Sequence, residues 1–233
     1  VQPKIFLFDS QETDLANSFG NHLHYLAFGY CNNYKKYDSG KFDNDPEINY
    51  ASGCCMLIKK EVYFSVGNLD DIFYAYSEDT DICWRARLMG WQIVLSSSSK
   101  MWHKYSFRPQ KRNTWKFFML ERNRLFLLTK HYRIRTLILL TPILLLMEFG
   151  VIIDSIFNAY FLSKIKSYFS FFNYLPAIIT ERKIIQDTRK VTDCELFNIF
   201  TPEINFEEKK SVLIYVANQI LKGYYKLVKP YIK

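Results

Sequence analysis

Three carboxylates within four positions, Glu78-Asp79-Thr80-Asp81, and a histidine further on, His103, are the sharpest chemical features of this sequence. Two adjacent carboxylates at a helix start cannot lie on the same side, so they can do different jobs. One can face a cleft while its neighbour hydrogen-bonds the scaffold. A carboxylate beside a substrate hydroxyl can act as general base, taking the proton as the oxygen attacks an electrophilic carbon. A plainer reading stands beside this one: acids at a helix N-terminus also serve simply to cap it and to complement its dipole. His103, standing among cationic residues, reads by itself as an ordinary surface or satisfied core histidine.

The elements that must position these groups are legible around them. Lys4 to Phe8 reads as a short strand, and His22 to Leu26 as another among polar loops. Tyr50 to Ile58 reads as a buried strand whose small residues allow a backbone or ligand to come close. Lys59 to Val66 reads as a short helix closed by Gly67. The convincing helix runs from Glu78 to Met89, with Ser77 as N-cap, Asp81 paired to Arg85 four residues on, and Gly90 as its end. Trp91 to Leu95 reads as a strand, followed by a serine run and Met101-Trp102-His103. The order strand, helix, helix, strand predicts an α/β domain, or the second half of one.

Composition narrows the choices. The chain has 233 residues, 49% hydrophobic and 18% aromatic, so it can bury a core and is too apolar to be a disordered tail. Its net charge of +8 is uneven. Residues 38–81 hold ten Asp/Glu against three Lys, whereas residues 100–135 hold eleven Lys/Arg and one acid, Glu121. An acidic stretch followed by a basic one suits a metal or proton acceptor beside a phosphate site. No zinc finger, recognition helix or single-strand-binding signature accompanies the basic stripe, so nucleic acid is not expected as a partner. The five cysteines, Cys31, Cys54, Cys55, Cys83 and Cys194, include no Cys-x-x-Cys pair and read as small buried hydrophobes in a reducing compartment. Val1 is not an initiator Met and opens no basic-then-apolar leader, which fits the back part of a longer protein.

After Tyr105 the character changes. Ser106 to Thr114 reads as a basic loop and Trp115 to His131 as a helix bearing Arg122, Asn123 and Arg124. Thr136 to Met147 is uncharged and extends to Ile153 past Glu148, with Pro142 inside. Phe157 to Tyr174 interleaves aromatics with Lys164 and Lys166, as at a lipid headgroup level. An in-plane or re-entrant helical hairpin is the leading reading, with a true span and a helix buried in protein as alternatives. Ser211 to Val228 closes the chain as an amphipathic segment. Three regions result: 1–114 as the α/β part, 115–180 as a hydrophobic helical region, and 181–233 as a mixed tail.

The ordered string carries more than its parts. It runs Gly53-Cys54-Cys55, Gly67-Asn68-Leu69-Asp70, Tyr76-Ser77-Glu78-Asp79-Thr80-Asp81-Ile82-Cys83-Trp84-Arg85, Gly90-Trp91, His103 and Arg122-Asn123-Arg124. This string resembles the inverting family 2 glycosyltransferases of GT-A fold, within them the rhamnosyltransferase-like branch. The resemblance covers residues 1–135 well and reaches more loosely to Arg189. It implies the acceptor-side half of a GT-A, Rossmann-like domain followed by membrane-associated helices. It implies that Asp79 is the catalytic base and that Glu78 supports it. Tyr76 would bind substrate, and Asp81 and Arg85 would brace the helix or touch acceptor. Arg122 would screen the leaving nucleotide diphosphate. His103 would complete the shell of a divalent metal, Mg²⁺ or Mn²⁺, on the donor diphosphate.

Departures from the family pattern shape the rest. The nucleotide-binding half and its Asp-x-Asp metal motif are expected upstream of Val1; Asp43-Asn44-Asp45 and Asp79-Thr80-Asp81 match the letters but fall on the acceptor side. The chain by itself is therefore expected to be inactive. The expected whole is a hexosyltransferase-type enzyme moving a sugar from a nucleotide-sugar donor to a lipid-linked or polysaccharide acceptor. Its expected place is the cytoplasmic face of the cell membrane. A non-catalytic membrane scaffold keeping the same fold is the alternative.

Overall fold

The parallel partner of the first strand comes from far along the chain, and this pairing frames the molecule. In the computed structural model, which describes residues 1–104, 113–205 and 212–233, β1 (Gln2–Asp9) pairs antiparallel with β2 (Gln11–Ser18) and parallel with β5 (Leu95–His103). The sheet order is β2-β1-β5, and β3 (Asn21–Leu23) with β4 (Gly29–Cys31) forms a separate two-stranded ribbon. A strand central to a sheet is covered on both faces. Accordingly Ile5 and Phe6 on successive positions of β1 are both buried, and even Lys4 is buried, its ammonium held by Asp38 and Asp43.

Between β4 and β5 lie α1 (Lys60–Ser65) and α2 (Glu78–Leu88), separated by a 3₁₀ turn at Asp71–Phe73. The fold class is thus α/β: a small mixed sheet with mostly helices after it. Gly67 and Gly90 end α1 and α2 at φ +92° and +88°, conformations open to glycine at no steric cost.

Two strand expectations need correction. Residues 50–58 form no strand beyond a bridge between Tyr50 and Asn21, because their backbone donors go to distant groups. The Ala51 N–H donates to Cys83 Sγ, that of Ser52 to Gln2 Oε1, that of Gly53 to Asp79 Oδ2, and that of Leu57 to the Val1 carbonyl. Residues 91–94 are likewise not a strand; β5 begins at Leu95 and runs through the serines. The register slips there, Pro3 pairing with Ser96 and Lys4 with Lys100, where Pro3 has no N–H to give.

The second half is helical: α3 (Thr114–His131), α4 (Ile134–Phe157), α5 (Phe161–Thr188), α6 (Asp193–Ile199) and α7 (Val212–Val228). The expected basic loop lies mostly outside the described residues. Long helix α5 packs along α3. Among the described residues, α4 is the one helix long and apolar enough to cross a membrane, and only 17% of its apolar window is buried. The described residues of this chain therefore leave most of that helix uncovered.

A buried quartet of charges fixes the register of the three long helices. Lys164 Nζ on α5 lies 2.5 Å from Glu121 and 2.7 Å from Glu148 of α4, and Arg124 of α3 binds the same two carboxylates. The tail is part of the same core. Tyr25, Tyr132, Phe197 and Tyr225 form one aromatic cluster, Tyr25 Oη donates to the Leu221 carbonyl at 2.9 Å, and Tyr224 Oη to that of Leu139 at 2.6 Å.

Candidate active site

The segment leading into α2 is strained and tightly held. Tyr74, Tyr76 and Ser77 have φ of 60°, 65° and 67°, a region that L side chains avoid at a cost of about 1–3 kcal/mol each. Its carbonyls are gathered by two side chains of α3. Asn123 Nδ2 donates to the carbonyls of Phe73, Ala75 and Tyr76 at 3.1, 2.9 and 2.6 Å. Arg122 Nη2 donates to those of Ile72 and Phe73 at 3.1 and 2.9 Å. Ser77 is the N-cap residue of α2, as the sequence suggests, but in left-handed geometry and with no side-chain cap bond.

From this start Glu78 and Asp79 diverge as two adjacent helix residues must. Asp79 is half-buried; Oδ2 accepts the Gly53 N–H at 2.8 Å, and Oδ1 accepts the Thr80 N–H at 2.7 Å. Burial pushes its carboxyl above the usual carboxylate range, outweighing the opposite pull of those N–H bonds. Burial, aided by the Asp79 charge, also raises Glu78, whose Oε2 has no hydrogen-bond partner among the described residues. A Cβ on Gly53 would sit 3.3 Å from the Asp79 Cβ, a tight contact that would press on the Asp79 side chain. Asp79 shares its helix face with Ile82, Cys83 and Ala86, and these three line a cavity of about 500 Å³ bounded also by Val1, Met56 and Trp91.

Asp81 and Arg85 take the bracing role, and the substrate-contact expectation for them is corrected. Asp81 is wholly buried. Burial raises its carboxyl, but Lys130, Arg85 and His131 outweigh that and hold it far below the usual range. Arg85 donates through Nε to Asp81 Oδ2 at 2.8 Å and through its other nitrogens to the carbonyls of Val66 and Asn68. Lys130 of α3 joins Asp81 at 3.1 Å, Glu181 of α5 at 2.8 Å, and Asp70. Arg122 is mostly buried among the rings of Phe118, Phe126 and Tyr174, and its Nη2 serves the carbonyls of Ile72 and Phe73. Tyr76 remains at the surface margin, its ring 5.8 Å from that of Trp115.

His103 sits at the far end of β5, its Nδ1 3.0 Å from Asn17 Oδ1, and partial burial lowers its pKa, keeping the imidazole neutral. It pairs with Leu7 on β1, whereas the Gly53–Asp79 contact adjoins Gln2. About 16 Å of strand separates those two anchor points at about 3.3 Å per residue. Among the described residues no three His, Cys, Asp or Glu side chains come together as a metal site. The described residues therefore do not form a metal shell by themselves.

Gly53 and Asn123 belong to the quoted string, yet nothing local marks what they do: Asn123 acts on carbonyls 47 to 50 positions away. Trp115 and Tyr74 carry no sequence signal beyond being aromatic.

Known proteins share stretches of this chain. A low-salt glycan biosynthesis hexosyltransferase of Haloferax volcanii is 38% identical over 48 residues, 21% of this chain and 16% of that protein. An N-acetylglucosaminyl-diphospho-decaprenol L-rhamnosyltransferase of Mycobacterium tuberculosis is 30% identical over 56 residues, 24% of this chain and 18% of that protein. The chain is related to glycosyltransferases. The matched stretch spans less than a fifth of each relative's length. No family model and no solved structure matches the chain.

Proposed function

We propose that this chain is the acceptor-side part of an inverting glycosyltransferase of GT-A fold in family 2, in its rhamnosyltransferase-like branch. Asp79 is the general base. The acceptor hydroxyl oxygen attacks the anomeric carbon of a nucleotide-sugar, and its proton passes to Asp79. The bond from that carbon to the diphosphate oxygen breaks, and the nucleoside diphosphate leaves with the electron pair. The observation that carries this reading is Asp79 itself: a half-buried carboxylate with a raised pKa, aimed from a helix start by the N–H groups of Gly53 and Thr80. A base with raised proton affinity is better matched to taking a hydroxyl proton near neutral pH. Glu78, one residue away and also raised, tunes the site by its charge. The donor side, with any Mg²⁺ or Mn²⁺ on the diphosphate, belongs to residues outside this chain, with His103 as a candidate ligand from within it.

The acceptor in this reading is lipid-linked or a polysaccharide, and the enzyme works at the cytoplasmic face of a membrane, peripheral or carried by α4. The exposed apolar length of that helix supports the placement. The deciding experiment is Asp79→Asn in the full-length protein, assayed with nucleotide-sugar and acceptor. Transfer is expected to fall at least about 10²-fold, the lower range of general-base contributions, with donor binding kept. Undiminished transfer removes Asp79 from the mechanism, and an absence of any transfer by the parent protein favours the scaffold alternative.

A further inference from the structure

Just ahead of the paired carboxylates, two large rings stand side by side in solvent. Tyr74 is 81% exposed and Trp115, in the first turn of α3, is 47% exposed. Apolar side chains at a surface are ordinarily scattered singly. Here Trp115 meets Tyr74 edge-on, centroids 6.4 Å apart at 87°, and Tyr76 at 5.8 Å and 58°. The tyrosines are fixed by the left-handed backbone that Asn123 and Arg122 gather, so the rings are presented by a rigid support rather than a loose loop. Strain of this kind persists only where the surroundings over-determine it, and it concentrates at functional sites.

We propose that Trp115, Tyr74 and Tyr76 form the subsite for the pyranose ring of the acceptor, the sugar whose hydroxyl Asp79 deprotonates; the proposal rests on the reading of Asp79 above. The chemistry selects a neutral sugar. A pyranose offers one face of C–H groups carrying partial positive charge, which complements the negative faces of aromatic rings. Lys116, whose ammonium lies 5.5 Å over the Tyr76 ring, is the one cation placed on these rings among the described residues, and it can donate to a sugar hydroxyl oxygen. Tyr76 lies on the segment that leads directly into the first turn of α2, where Asp79 stands, so in this proposal a sugar on these rings presents its hydroxyl toward that turn. Two residues further along α3, on another side of the helix, Phe117 stacks on Tyr160 in the turn between α4 and α5 at 4.8 Å and 9°. The first turns of α3, which carry Trp115, are thus anchored to the tip of the apolar hairpin, the side from which a sugar carried on a lipid would arrive.

The test uses the full-length protein and two readouts. Saturation-transfer NMR with a set of methyl pyranosides is expected to mark ring C–H protons in the parent, to fade in Trp115→Ala and Tyr74→Ala, and to persist in Trp115→Phe. In transfer assays the acceptor KM is expected to rise about tenfold in the alanine variants, the worth of one lost ring contact, with the donor KM unchanged. Pyranoside signals absent from the parent, or equal in parent and alanine variants, overturn the subsite. If those variants also keep the parental acceptor KM while Asp79→Asn abolishes transfer, the subsite fails and the base stands. If Asp79→Asn transfers normally, the base fails, and the NMR comparison still judges the rings.

Discussion

At the residue scale, function turns on what surrounds Asp79 rather than on its being acidic. Its neighbour Asp81 is the stronger acid and the wrong candidate, because the cations Arg85 and Lys130 own it, with the His131 ring beside them. Among the described residues Asp79 has no cationic partner; it accepts from the N–H groups of Gly53 and Thr80 and from the Thr80 hydroxyl, and burial raises it. A sign follows for activity. The acid limb of the kcat/KM profile is expected above about 4, the ordinary Asp value, with rate rising as pH rises through it. A limb at or below that value, measured over pH 3 to 8, counts against Asp79 as the base. Asn123 is the second decisive residue. Asn123→Ala leaves the carbonyls of Ala75 and Tyr76 without this donor, Phe73 keeping Arg122, and is expected to cost about 1–3 kcal/mol. Asn123→Asp, which sets an acceptor against them, is expected to cost more. Equal midpoints for the two variants in urea melts would remove the amide from this role.

At the element scale, α2 was readable because its signals are local: acids at its first turn, an i,i+4 pair, and Gly90 at its end, which place it to within a residue. Segment 50–58 was not readable. Its run of apolar and small residues suits a strand, and only the assembled fold reveals that Gln2, Cys83 and Asp79 take its N–H groups. The same limit hid the work of Arg122, whose partners lie 49 and 50 positions away. The brace under α2 yields a stability prediction. Asp81→Asn removes the carboxylate that Arg85 and Lys130 share in the core, leaving Arg85 without an anionic partner among the described residues, and half-broken buried pairs cost about 3–5 kcal/mol. Asp81 is held below its unfolded pKa, so its contribution is complete above about pH 4 and is lost as pH falls. Parent and variant melting temperatures are expected to differ most at neutral pH and to converge in acid; a gap that widens on acidification would contradict the brace.

At the scale of the whole molecule, the α/β half, the hydrophobic helices and the tail contribute to one core, although composition divides them into three. Long helix α4 lies against that core with most of its surface outward; at about 1.5 Å per residue its 24 residues reach about 36 Å, more than the roughly 30 Å of a bilayer's hydrocarbon. Exposed Leu145, Phe149 and Phe157 changed together to Ser are expected to leave the circular dichroism intact while reducing co-sedimentation with liposomes of anionic and neutral lipid. Unchanged sedimentation would refute the membrane placement. The run Arg122-Asn123-Arg124 faces two ways at once. Its first two residues grip the approach to the carboxylates, and the third is locked to Glu148 on α4. On the proposed reading, the catalytic mouth stands at a set height above the headgroups, like a gauge block on a bench. The distance from a carrier's phosphate to its reactive hydroxyl would then decide which acceptors fit, before any pocket inspects the sugar.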